Sequence, residues 1–148
     1  MKGITKKIPV VILAGGKGAP LGAASRVIPK PMIDINGKPL ILYIIDHYIK
    51  YGFKKIIICT GLGSEMVERF VGSSDYLKRS GLDLSVVNTG PGNMTGSRIA
   101  QIRAKVNNAD NFCVTYGDSV SDVNLARMLD FHISHGKIAT LLGVHAPI

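Results

Sequence analysis

Short apolar runs of strand length alternate with stretches of helical period, and this alternation constrains the fold more than any other feature. Residues 8–14, "IPVVILA", are apolar on successive rather than alternate positions, as in a strand buried on both faces. "KKIIICT", "LDLSVVN", "NFCVTYGD" and "KIATLLGVHA" predict further strands. "LILYIIDHYIKYG" predicts a helix with Pro39 near its first position and Gly52 just past its end. Ser64 is the predicted N-cap of a helix over "EMVERFVG", with "SDYLKRSG" adding a turn, and "MIDINGKP" suggests a brief extended piece turning at Asn36-Gly37. "SRIAQIRAKV" and "DVNLARMLDFHISHG" carry the remaining helices. The fold class this implies is α/β, a doubly wound, mostly parallel sheet with helices on both faces.

In such sheets ligands bind beyond the carboxyl ends of the strands. Three distinctive segments fall there: the glycine loop after the first strand, "GPGNMTGSR" after the third and "YGDS" after the fourth. The glycine loop, "LAGGKGAPLG", lacks the G-x-x-x-x-G-K-[ST] order of a Walker loop, because Lys17 precedes the last glycines. It also fails the dinucleotide fingerprint, since Leu21 occupies the third glycine position and the second strand ends in "CTGLG" without an acidic residue. What remains is a loop whose backbone N–H groups suit a polyphosphate.

Lys30 stands between Pro29 and Pro31, which are expected to hold the backbone extended and present the lysine from a stiff segment. A plain surface loop is the alternative. Asp118 follows a glycine at the end of a strand, where a carboxylate can hold a hard cation such as Mg²⁺ or simply cap a turn. His132 and His135 are spaced as metal ligands can be, but capping and packing near the helix C-terminus is the favoured role.

The chain has 148 residues, enough for one domain that buries roughly 70% of its unfolded surface. It contains neither an internal repeat nor a Pro- or Ser-rich linker. Its net charge of +8 favours anionic partners, but no Arg-rich or aromatic motif supports nucleic-acid binding. No run approaches the roughly 18 apolar residues of a membrane span. Lys6-Lys7 before the first apolar run has the outline of a signal peptide, but Pro9 and the strand pattern argue against it. Cys59 and Cys113 sit inside apolar runs without CxxC spacing and read as reduced core thiols of a cytoplasmic protein.

Taken together, "VILAGGKG", "PKPMIDINGKPLI", "NMTGSRI", "FCVTYGDSVSDVN" and "LDFHISHGKIAT" resemble the sugar-1-phosphate nucleotidylyltransferases. Within that superfamily the last two segments resemble the glucose-1-phosphate cytidylyltransferases. The resemblance extends over essentially the whole chain. It implies a Rossmann-like nucleotidyltransferase domain that converts CTP and glucose 1-phosphate to CDP-glucose and pyrophosphate with Mg²⁺, and possible homo-oligomers. It also implies nucleotide binding by Leu13, Ala14, Gly15, Gly16, Lys17 and Gly18, by Asn93 and Arg98, and by Gly117. Lys30 would meet the phosphates, and Asp118 would bind the metal.

The same resemblance marks departures. The family has Thr-Arg where this chain has Ala19-Pro20, acidic and hydroxyl residues at Ala23, Ala24 and Ser25, a lysine at Ile28, and commonly a hydroxyl at Asn93. Arginine in that loop would supply a planar multi-donor cation, whereas proline supplies none and deletes an N–H. Arg26 and Lys17 are candidates to replace part of that charge. Family members continue beyond "GVHAPI" into a sugar-binding part, so residues 1–148 are expected to be the nucleotide-binding portion. The implied alternative is a catalytically impaired homologue that binds nucleotide or a partner subunit.

Overall fold

The computed structural model describes residues 3–16, 19–20 and 27–145. Four parallel strands form the central sheet: β1 (Pro9–Ala14), β2 (Lys55–Thr60), β3 (Asp83–Asn88) and β4 (Cys113–Tyr116), in the order β3-β2-β1-β4. Pairing is in register across both inner strands, with Ile12 opposite Ile58 on one side and Thr115 on the other.

The six helices among the described residues are α1 (Leu40–Lys50), α2 (Ser64–Ser73), α3 (Asp75–Arg79), α4 (Thr95–Gln101), α5 (Arg103–Val106) and α6 (Leu125–His135). Successive residues of β1 feed opposite layers, because side chains alternate across a strand. Val10, Ile12 and Ala14 pack with Ile41 and Ile45 of α1, Val67 of α2, Leu77 of α3 and Leu125 of α6. Val11 and Leu13 pack with Ile102 and Val106 on the other face. The doubly wound arrangement read from the apolar runs is therefore present, with helices on both faces.

Helix α1 ends in a Schellman motif, in which the N–H of Phe53 donates to the Tyr48 carbonyl (3.2 Å) and that of Gly52 to Ile49 (2.9 Å). Gly52 takes the required left-handed conformation (φ 86°), and the Tyr48 and Phe53 rings meet edge to face at 5.3 Å. The turn at Asn36-Gly37 is also formed, between two short antiparallel pieces, Asp34–Ile35 and Lys38–Pro39.

Some local expectations fail for physical reasons. Gly63, left-handed at φ 73°, caps α2, and Ser64 is its first helical residue, with its hydroxyl donating to Glu68. The helix over "SRIAQIRAKV" breaks at Ile102, whose backbone (φ −96°, ψ 12°) leaves the helical region as its side chain buries. The expected fifth strand, over 137–146, is absent among the described residues. No residue of 137–145 pairs with the sheet; Thr140 is held by His132 (2.9 Å) and His135 (2.8 Å) of α6, and the Lys137 N–H donates to His135 Nδ1. The two histidines thus cap and tether, as the packing alternative has it. Cys59 is fully buried, whereas Cys113 on edge strand β4 is half-buried.

Candidate functional site

The carboxyl ends of β1, β2 and β3 converge where glycines let the backbones approach. A Cβ on Gly61, after β2, would lie 2.7 Å from the Gly15 carbonyl and 2.9 Å from the Gly90 carbonyl. One on Gly15 would lie 2.1 Å from an Arg98 guanidinium nitrogen. Real Cβ atoms do not tolerate such distances, so glycine at both positions is a packing requirement of this junction.

Arg98 of α4 is the centre of this junction and only 4% exposed. Its Nη1 donates to the Thr60 carbonyl (2.8 Å) and the Thr89 hydroxyl (2.5 Å), and its Nη2 donates to the Gly15 carbonyl (2.6 Å). The Thr89 hydroxyl donates in turn to the Thr60 carbonyl (2.6 Å), so every partner is used consistently. Thr60 and Thr89 were not singled out by sequence reasoning. Their signal is the repeated Thr-Gly pair, Thr60-Gly61 and Thr89-Gly90, that ends both β2 and β3.

On the other side of β1, the Gly117 N–H donates to the Leu13 carbonyl at 2.9 Å. The segment carrying Lys30 is wedged by its prolines: a Cβ on Gly117 would lie 2.8 Å from Pro31 Cγ, and one on Gly63 would lie 2.5 Å from Pro29 Cγ. Two glycines from loops after β2 and β4 therefore act as sockets for the two prolines. The backbone between them is not extended as expected but forms a short 3-10 turn, Lys30–Met32, after an extended Pro29. A turn delivers the same stiffness, because the Met32 N–H closes onto the Pro29 carbonyl (2.8 Å). From this turn Lys30 Nζ reaches Asp118 Oδ2 at 3.1 Å.

Leu13, Ala14, Gly15, Gly16, Lys30, Asn93, Arg98, Gly117 and Asp118 all line one cavity of about 640 Å³ at the strand ends. That is a size suited to a nucleotide. Lys17 and Gly18 lie outside the described residues, as do Ala23, Ala24, Ser25 and Arg26. Ala19–Pro20 pair with Val27–Ile28 as a short antiparallel ribbon. Asn93 lines the cavity but its amide is engaged internally, donating to the Thr89 carbonyl and accepting from Ser97 Oγ (3.1 Å).

The charged groups here are one lysine, one buried arginine and one carboxylate, set among backbone amides and the side chains of Asn93, Thr95 and Tyr116. Among the described residues no group of three or more His, Cys, Asp or Glu side chains gathers as a metal cage. A lone carboxylate beside a cavity open to phosphates fits Mg²⁺, which keeps its waters and takes one or two carboxylates plus phosphate oxygens. No described helix is long and apolar enough to cross a membrane. Burial pushes the Cys59 and Cys113 thiols up to about 11, with Arg98 partly opposing this at Cys59.

A parallel sheet with a cavity at its strand ends defines a doubly wound α/β protein with a site where such sheets ordinarily bind ligands, and comparison with known proteins specifies which kind. The chain belongs to the nucleotidyl transferase family, which it matches over residues 9–147. It is 34% identical to the glucose-1-phosphate cytidylyltransferase of Salmonella typhimurium, over 93% of this chain and 60% of that protein. It is 31% identical to a mannose-1-phosphate guanylyltransferase of Mycobacterium tuberculosis, over 93% of this chain and 37% of that one. The chain thus spans less than two thirds of the length of these relatives. Among solved structures, HddC from Yersinia pseudotuberculosis complexed with GMP-PN superposes with a TM-score of 0.70 at 29% identity, covering 85% of this chain and 54% of that chain. A putative glucose-1-phosphate thymidylyltransferase from Bacillus anthracis shares the fold (TM-score 0.73, 20% identity, 86% of this chain and 50% of that one).

Proposed function

We propose that this chain carries the nucleotide-binding site of a sugar-1-phosphate nucleotidylyltransferase that uses CTP and glucose 1-phosphate. The observation that carries the reading is the gathering of Gly15, Gly16, Lys30, Arg98, Gly117 and Asp118 around one cavity at the strand ends. The choice of cytidine rests on the 34% identity to a cytidylyltransferase and on "FCVTYGDSVSDVN".

The reaction needs no protein nucleophile, because the sugar phosphate oxygen attacks the α-phosphorus and pyrophosphate leaves. The protein's work is then positioning and charge neutralisation. The glycine amides after β1 would face the phosphates, Gly117 keeps the end of β4 clear of a side chain, and Lys30 would place its ammonium against developing negative charge. Asp118 would hold Mg²⁺, which when bound supplies Lewis-acid stabilisation of the triphosphate. The test is pyrophosphate release from CTP and glucose 1-phosphate, with UTP, dTTP and GTP as competitors. Release that is fastest with CTP supports the reading, and no release with any nucleotide opposes it.

Ala19-Pro20 favours a second reading. A loop without its arginine lacks a donor worth several kcal/mol, on the order of a thousandfold in rate. Under that reading the chain binds CTP and turns it over poorly, and the same assay separates the two.

A further inference from the structure

Arg98 is a cation almost wholly withdrawn from water, and neither ion pair among the described residues involves it. Buried charges are ordinarily paired with an opposite charge. Here the guanidinium meets only carbonyl and hydroxyl oxygens, and three of its five N–H groups are committed to Thr60, Thr89 and Gly15. The Gly15 carbonyl is the one oxygen in this set that belongs to the phosphate-facing loop. A trans peptide points its C=O and the following N–H in opposite directions. Pinning the Gly15 carbonyl inward onto Arg98 therefore turns the Gly16 N–H outward, to the side where Gly16 is exposed and lines the cavity. Among the described residues no acceptor takes that N–H.

We propose that Arg98 is a positioning residue that acts through the Gly15 carbonyl, orienting and polarising the Gly16 N–H as a donor to a nucleotide phosphate. This differs from a direct Arg98–nucleotide contact, and it rests on the proposed function only for the identity of the anion. The device needs the Thr89 hydroxyl, which accepts from Nη1 and holds the guanidinium plane. It also needs glycine at position 15, since any side chain there would displace the guanidinium.

The test uses the whole chain and two probes, inorganic tripolyphosphate and CTP, with cytidine as the phosphate-free control. In the wild type, tripolyphosphate is expected to shift the Gly16 amide resonance, and an unshifted Gly16 amide overturns the proposal without any variant. In Arg98→Lys, the planar two-nitrogen fork that holds the Thr60 and Gly15 carbonyls in a fixed geometry is lost, so the Gly16 amide is expected to move already in the ligand-free protein. Tripolyphosphate and CTP affinities should fall at least about tenfold, and cytidine affinity less than about twofold, because a charge-assisted phosphate contact is lost. A ligand-free Gly16 amide unchanged by Arg98→Lys, or equal losses for cytidine and CTP, overturns it. If Arg98→Lys does not fold, Thr89→Val takes its place with the same expected and contrary results. Tripolyphosphate binding without preference for CTP would refute the proposed nucleotide while leaving the role of Arg98 standing.

Discussion

Lys30 and Asp118, 88 positions apart in the chain, form a 3.1 Å ion pair beside the cavity at the ends of β1 and β4. Their side chains are 49% and 36% exposed, so solvent screens the pair and it adds less than about 1 kcal/mol to folding. Its significance is electrostatic arrangement: the carboxylate holds the ammonium on the side of the cavity where phosphates would lie.

This arrangement gives Asp118→Asn opposite effects with and without metal. In EDTA the substitution removes a negative charge facing the phosphates, so CTP affinity should rise or stay level. With Mg²⁺ present it removes the metal carboxylate, and CTP affinity should fall roughly tenfold or more. Calorimetric titrations under both conditions check this, and thermal unfolding should change little.

Gly117→Ala should impair the site by moving Lys30 while leaving its charge in place. The new methyl would meet the rigid Pro31 ring at 2.8 Å and Ala14 at 3.3 Å, so the turn carrying Lys30 must shift. Overpacking of this kind costs about 1–3 kcal/mol and should weaken CTP binding as well. Gly72→Ala, in open space on α2, is the control and should stabilise by about 0.5–1 kcal/mol without altering binding. Denaturant unfolding and titration on both variants separate the two outcomes.

Pro20→Arg should raise pyrophosphate release, by about tenfold to a thousandfold, if the missing guanidinium limits turnover. An unchanged rate would place the limitation elsewhere.

The thiols make a pH prediction. Burial raises the folded values of Cys59 and Cys113 to about 11, above the ordinary 9. A neutral thiol is therefore favoured in the folded state. Its contribution to stability is fully present below pH 9 and is lost as pH rises towards 11. The denaturation midpoint should decline across that window, and iodoacetamide at pH 7.5 should modify both cysteines quickly only after unfolding.

Much of the fold was legible because its signals are local. Continuous apolar runs marked β1 and β2 as strands buried on both faces, and Gly52 marked the end of α1 through the left-handed conformation its motif needs. Most cavity residues were legible because the glycine loop, the loop before α4 and the segment after β4 follow strand ends, where a parallel sheet gathers its loops, whereas Lys30, on a turn that follows no strand of the central sheet, was marked by the family resemblance. The expected strand over 137–146 does not form among its described residues because apolar residues make a strand only where a sheet edge takes them, and His132 and His135 hold Thr140 instead. The role of Arg98 was invisible for a related reason. Whether a guanidinium faces solvent, a ligand or three backbone loops depends on the approach of Gly15 and Gly61, which are remote from it in sequence, to Gly90. The proline sockets at Gly63 and Gly117 are of the same long-range kind.

In the proposed function a nucleoside triphosphate sits at the ends of β1 and β4, against Lys30. Calorimetric titration of the wild-type chain with CTP and Mg²⁺, set beside Lys30→Ala, tests it most directly. Saturable one-to-one binding to the wild type is expected, weakened at least about tenfold in the variant by loss of the cation facing the phosphates. Absence of binding to the wild type, or equal affinity in Lys30→Ala, would contradict it.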